Sequence, residues 1–112
     1  MRIHTDHNGV AVNAIAQTSD GTDVRGHMYQ ILCGPKTVTL EFQRGPVATA
    51  GVNGPTNEAL LAILANRLRH LNTQFPCAEN QRAINHIELA MEALEQRTRD
   101  RLARGVEGRS IE

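Results

Sequence analysis

Two hydrophobic periods divide this chain. Up to about residue 52, apolar positions alternate or fall in short runs; beyond it they recur every third or fourth residue. In 10–17, Val10, Val12, Ala14 and Ala16 fall on one side, with Asn13, Ile15 and Gln17 on the other, and Ser19-Asp20-Gly21 follows as a turn signal. Residues 27–33, HMYQILC, form a second apolar run, broken by Gly34 and Pro35. Residues 37–43, TVTLEFQ, give the clearest strand, with Val38, Leu40 and Phe42 on one face and Thr37, Thr39 and Glu41 on the other. The short break between the last two runs predicts a hairpin. Gly45-Pro46 ends that strand, and the breaker cluster from Gly51 to Pro55 marks the boundary between halves.

The second half predicts two helices. Asn53 or Thr56 is placed to cap the first, with Pro55 at its start, Glu58 in its first turn, and Leu60, Leu61, Ile63, Leu64, Leu68 and Leu71 at helical spacing. It stops near Asn72, where Phe75-Pro76 breaks the pattern. The second helix begins near Cys77 or Ala78 and carries the stripe Ile84, Ile87, Met91, Leu94, Thr98 and Leu102. It runs to about Arg104, with Gly105 as a natural C′ residue. A short connection makes the two helices antiparallel. The expected fold class is α+β: an antiparallel β region over 1–52, then a two-helix hairpin over 53–112, in one compact domain.

Composition sharpens this picture. A chain of 112 residues with no Trp, one Tyr and two Phe has few large side chains for a core, so self-association is expected. Net charge is zero, which argues against a general DNA coater, yet eleven of the twelve basic residues are Arg and five fall in 97–109. Arginine offers a flat fork of donors that matches phosphate. Cys33 and Cys77 make no C-x-x-C or secreted framework and fit a reducing cytosol. No apolar run approaches a membrane span, and MRIHTDHNG contains no signal-peptide core.

Arg97, Arg101 and Arg104, at i, i+4 and i+7, share a helix face from which Arg99 points away. Position alone leaves two readings open: a solvated basic end that complements the helix dipole, or an anion clamp. Glu88, Glu92 and Glu95 lie upstream as possible partners for these arginines. Asn80 falls on the packing stripe, either bonding the hairpin loop or free to read a base edge. His70, near the end of the first helix, suits the dipole or stacking on a ring. His4, Asp6 and His7 lack further ligands at a recognised spacing, so no metal site is expected. There is no Walker loop, no G-x-G-x-x-G, no paired-carboxylate signature and no base placed beside either thiol. Neither catalytic residues nor a cofactor are expected.

The strings GVNGPTNEALLAILANRLRHL, FPCAEN and LEQRTRDRLARGVEG, taken in order, resemble the Acb2/Tad1 hairpin-domain family of phage anti-defence proteins over about residues 44–109. The strand half ending in LEFQRGP looks like the N-terminal sheet of the Tad1 branch. The resemblance implies a sponge, not an enzyme, acting in the cytoplasm of the infected bacterial host. It would bind cyclic ADP-ribose isomers (glycocyclic ADP-ribose) made by Thoeris TIR enzymes and hold them without cleavage. It also implies a homo-oligomer, dimer or hexamer, with pockets between protomers. By that likeness Asn80 meets the adenine edge, Arg97 and Arg101 meet the phosphates, and Arg44 adds a further contact. His70 stands where the family tends to place a stacking aromatic. Two alternatives accompany this expectation. One is a CBASS-type sponge for cyclic di- or trinucleotides on the same fold; the other is a helical module that binds nucleic acid or protein. The scarcity of aromatic stacking platforms argues against nucleic acid.

Overall fold

The computed structural model describes residues 1–105; Arg109 and the Val106-Glu107-Gly108 end of the third string lie outside them. The fold is α+β. Four strands, β1 (Arg2–Thr5), β2 (Ala11–Ala14), β3 (Met28–Cys33) and β4 (Lys36–Glu41), precede three helices, α1 (Val47–Ala50), α2 (Asn57–Gln74) and α3 (Ala78–Ala103). The chain forms two compact units. One is Met1–Arg44 with Val52–Gly54; the other is Gly45–Gly51 with the chain from residue 55 onward.

The sheet is an antiparallel meander in the order β1-β2-β3-β4. The predicted hairpin joins β3 and β4: Cys33 pairs with Lys36 across Gly34 and Pro35, and Gly34 takes φ +61°. A positive first φ followed by proline suits the mirror-image turns that match strand twist. Tyr29 pairs with Leu40, and its ring meets Phe42 edge-on at 5.8 Å. β1 has no counterpart among the predicted strands. RIHT is exposed along its length and lacks an apolar face, so only its pairing to β2 makes it a strand. Asp6 closes that hairpin by accepting from the amides of Asn8 and Val10 at 2.8 and 3.0 Å.

Between β2 and β3 the chain folds around Val24, which is wholly buried although no periodicity marks it. Hydrogen bonds from the hydroxyls of Thr18 and Thr22 draw the Asp20 carboxyl from 3.8 to about 2. Arg25, bonded to Asp23 at 2.8 Å, does the same to its neighbour.

In the helical unit, Thr56 caps α2 by accepting from the Ala59 amide at 3.2 Å. Cys77 caps α3 through its sulfur, which accepts from the Asn80 amide at 3.4 Å. The inward stripe of α2 runs through Leu61, Ala65 and Leu68, while Ile63 and Leu64 are exposed. The predicted α3 stripe holds from Ile84 through Ile87, Met91 and Leu94 to Thr98. It then continues to Arg101, 6% exposed, and not to Leu102, 62% exposed. The spacing 84-87-91-94-98-101 keeps the alternation of three and four, which a step to 102 breaks. α3 ends one residue short of the expected Arg104, and Gly105 follows at φ +72°.

The Gly51-to-Pro55 cluster does more than break the chain. A Cβ at Gly54 would lie 2.7 Å from the Glu41 carbonyl oxygen and 2.8 Å from the Gln43 nitrogen, both backbone atoms that cannot swing aside. Gly54→Ala is therefore expected to lower stability by roughly 1–3 kcal/mol, the range for overpacking. Urea unfolding checks this, and an unchanged midpoint would contradict the close approach.

Candidate functional site

α2 has 18 residues and α3 has 26. They are joined by residues 75–77, and the loop is tied by the Cys77 amide donating to Asn72 Oδ1 at 3.0 Å. α3 is thus the longer helix by about 12 Å, at a rise of 1.5 Å per residue. Its C-terminal end carries the arginines. Arg97, Arg101 and Arg104 line one cleft of about 720 Å³ together with Ala93, Gln96, Asp100 and Ala103.

The three arginines are not equivalent. Arg101 is buried, at the position that continues the packing stripe of α3. Arg97 and Arg104 are exposed. Arg99 lies outside the cleft lining and donates to Gln96 Oε1 at 2.7 Å. The upstream glutamates are arranged differently from the expected pairing. Glu88 bonds Arg69 of α2 at 2.5 Å, and Glu88, Glu92 and Glu95 line a separate cleft of about 410 Å³ with Arg69 and Met91. The acid that lines the arginine cleft is Asp100, which sequence reasoning missed. Its signal was available, three residues after Arg97 and four before Arg104.

Asn80 and His70 sit at the opposite, loop end of the hairpin. Asn80 is half-buried in the first turn of α3; its backbone amide completes the Cys77 cap. Among the described residues its side-chain amide has no partner, because Asn72 performs the loop-tying role. His70 is exposed, four residues before the end of α2. Seventeen residues separate Asn80 from Arg97, which places them about 25 Å apart along one helix axis. One copy of the hairpin thus holds the amide and the arginines at opposite ends.

Arg44 belongs to the sheet unit, just past β4. Its side chain is exposed, but its backbone is clamped. The Arg44 amide donates to Asn53 Oδ1 at 2.8 Å, and Asn53 Nδ2 returns a bond of 2.8 Å to the Arg44 carbonyl. The Asn53 amide in turn donates to Gln43 Oε1 at 2.8 Å. Asn53 therefore does not cap α2; its side chain mimics a strand partner for the chain leaving β4. Among the described residues, no group of three His, Cys, Asp or Glu could hold a metal ion. Both cysteines are free thiols, Cys33 half-buried and Cys77 exposed. No helix among these residues is long and apolar enough to cross a membrane.

The family model for the Acb2/Tad1 hairpin domain matches residues 37–99. The match takes in Arg44, His70, Asn80 and Arg97 and stops short of Arg101. A curated relative named Thoeris anti-defense 1, from Bacillus phage SBSphiJ7, is 46% identical over 74 residues, 65% of this chain and 52% of the relative. The chain thus spans about half the length of that relative.

Asn53 lies inside the matched segment, and its clamp is directly measurable. Asn53→Ala removes both bonds to Arg44, each worth about 1 kcal/mol. Amide hydrogen exchange at Arg44 is expected to accelerate about tenfold or more, and unchanged exchange would show that Asn53 does not hold the strand end.

Proposed function

The chain belongs to the Acb2/Tad1 hairpin-domain family, and from that membership we propose that it is a phage anti-defence protein. In this reading it acts in the cytoplasm of the infected host. It binds a cyclic ADP-ribose-type immune signal, such as glycocyclic ADP-ribose, and holds it without cleaving it. The observation that carries the reading is the cleft at the C-terminal end of α3, which Arg97, Arg101 and Arg104 line together. A cyclic ADP-ribose has two phosphates and an adenine, and guanidinium forks bind phosphate oxygens in pairs. Arg101 is buried, and its planar guanidinium matches the geometry of phosphate oxygens.

A sponge must outcompete the effector it starves, which calls for nanomolar affinity, about −12 kcal/mol. One helix end is too open for that. The adenine-reading amide of Asn80 and the flat ring of His70 lie at the other end of the hairpin, so the pocket is composite. One copy supplies Arg97 and Arg101, and a neighbour running the opposite way supplies Asn80 and His70. Two features support a homo-oligomer. Ile63 and Leu89 leave 61% and 60% of their surface exposed, and among the described residues only Ala65 and Ile84 of the helical unit are buried apolar side chains. Arg44, with its backbone clamped by Asn53, adds a further phosphate contact in this reading. Sequestration requires no nucleophile, and the sulfur of Cys77 serves as a helix cap.

Calorimetry with glycocyclic ADP-ribose isomers tests the reading. Wild-type protein is expected to bind at least one isomer, with intact ligand recovered after heating the complex. Arg97→Ala and Arg101→Ala are each expected to weaken binding by roughly tenfold to a hundredfold, the worth of a hydrogen bond to a charged group. Folded wild-type protein that bound no isomer, or ligand recovered in fragments, would overturn the sponge. Unchanged binding by both variants would overturn the site.

A further inference from the structure

Asp100 lines the same cleft as Arg97, Arg101 and Arg104. Its spacing from Arg97 and Arg104 is the one at which helix residues normally form ion pairs. Its carboxylate accepts from the Gln96 side chain, whose Nε2 donates to Oδ1 at 2.9 Å. Gln96 is itself fixed by Arg99, whose Nη2 donates to Oε1 at 2.7 Å. Arg99, Gln96 and Asp100 thus form a chain along the helix that orients the carboxylate and leaves Oδ2 without a hydrogen bond from the described residues.

An ionised carboxylate only accepts hydrogen bonds, and it repels phosphate. In a cleft for bare anions it would oppose the arginines around it. In a cleft for a phosphorylated sugar it has a use, because ribose hydroxyls are donors and stand a few bonds from the phosphate. The same chemistry lets an acidic side chain recognise a ribose hydroxyl beside a bound pyrophosphate in dinucleotide-binding folds. We propose that Asp100 is a specificity-determining residue that accepts hydrogen bonds from ribose hydroxyls while the arginines hold the phosphates. The ligand class then narrows from phosphate-bearing molecules to phosphorylated ribosides with free hydroxyls. This assignment rests on the reading of the cleft as a phosphate site.

Calorimetry of wild-type and Asp100→Asn protein, with glycocyclic ADP-ribose and with inorganic pyrophosphate, provides the test. The amide keeps the oxygen that Gln96 bonds and removes the charge. Asp100→Asn is expected to weaken glycocyclic ADP-ribose binding about tenfold or more, the worth of hydrogen bonds to a charged acceptor, while pyrophosphate binds no less tightly than before. Tighter binding of both ligands would reduce Asp100 to a source of anion repulsion and overturn the proposal. Equal weakening of both would make it a support for the arginines, and no change in either would make it a bystander; each result also overturns the proposal. Wild-type protein that bound neither ligand would overturn the reading of the cleft itself, a failure distinct from these.

Discussion

The seam between α2 and α3 sets both what the helical unit buries and what it leaves available. Leu61, Ala65 and Leu68 face Ile84, Ile87 and Met91, and the register is fixed at the loop, where Asn72 and Cys77 tie the helices together. α3 is eight residues longer than α2, and the stripe that faces α2 earlier in the helix reaches a basic residue, Arg101, instead of a leucine. The long apolar stem of an arginine can finish a packing stripe while its head remains polar. A surface residue would have to give up several rotatable bonds to grip a phosphate; a packed one has given them up during folding.

The same antiparallel geometry explains why the proposed site cannot be complete in one copy. A helix carries side chains past one another at a fixed 1.5 Å per residue, so an amide in its first turn and arginines in its last two cannot meet on a ligand of nucleotide size. A two-fold axis perpendicular to α3 would reverse the helix direction in a second copy and bring the first turn of one beside the last turns of the other. The apolar side chains left exposed, Ile63 and Leu89, are what such a neighbour would cover.

Much of the fold was legible because period carries it. Alternation in TVTLEFQ gave β4, and the three-four spacing gave both long helices to within a few residues. What remained hidden had no period. β1 is a polar edge strand held by pairing alone, α1 is a single turn of four residues, and Val24 is buried by a loop. The roles of Asn53 and Gly54 depend on chain segments folding back on one another, which spacing cannot report. At the site, the shared face of Arg97, Arg101 and Arg104 followed from helix geometry. The burial of Arg101 did not, because an arginine on an apolar stripe reads as its end. Asp100 escaped notice because the arginines drew attention as a charge pattern. Asn80 and His70 were raised by their helix positions and Arg44 by resemblance, and the fold places Asn80 and His70 at the loop end of the hairpin, away from Arg97 and Arg101.

The central claim is that the arginine end of one α3 and the loop end of another make one pocket. Mixing Asn80→Ala chains with Arg97→Ala chains, refolded together, tests it directly by ligand stoichiometry. Each variant alone is expected to bind glycocyclic ADP-ribose poorly. The mixture should recover wild-type affinity at roughly a quarter of the wild-type sites, since random pairing in a two-fold assembly makes half the pairs mixed, each with one intact pocket. A mixture that binds no better than its components would contradict the composite pocket.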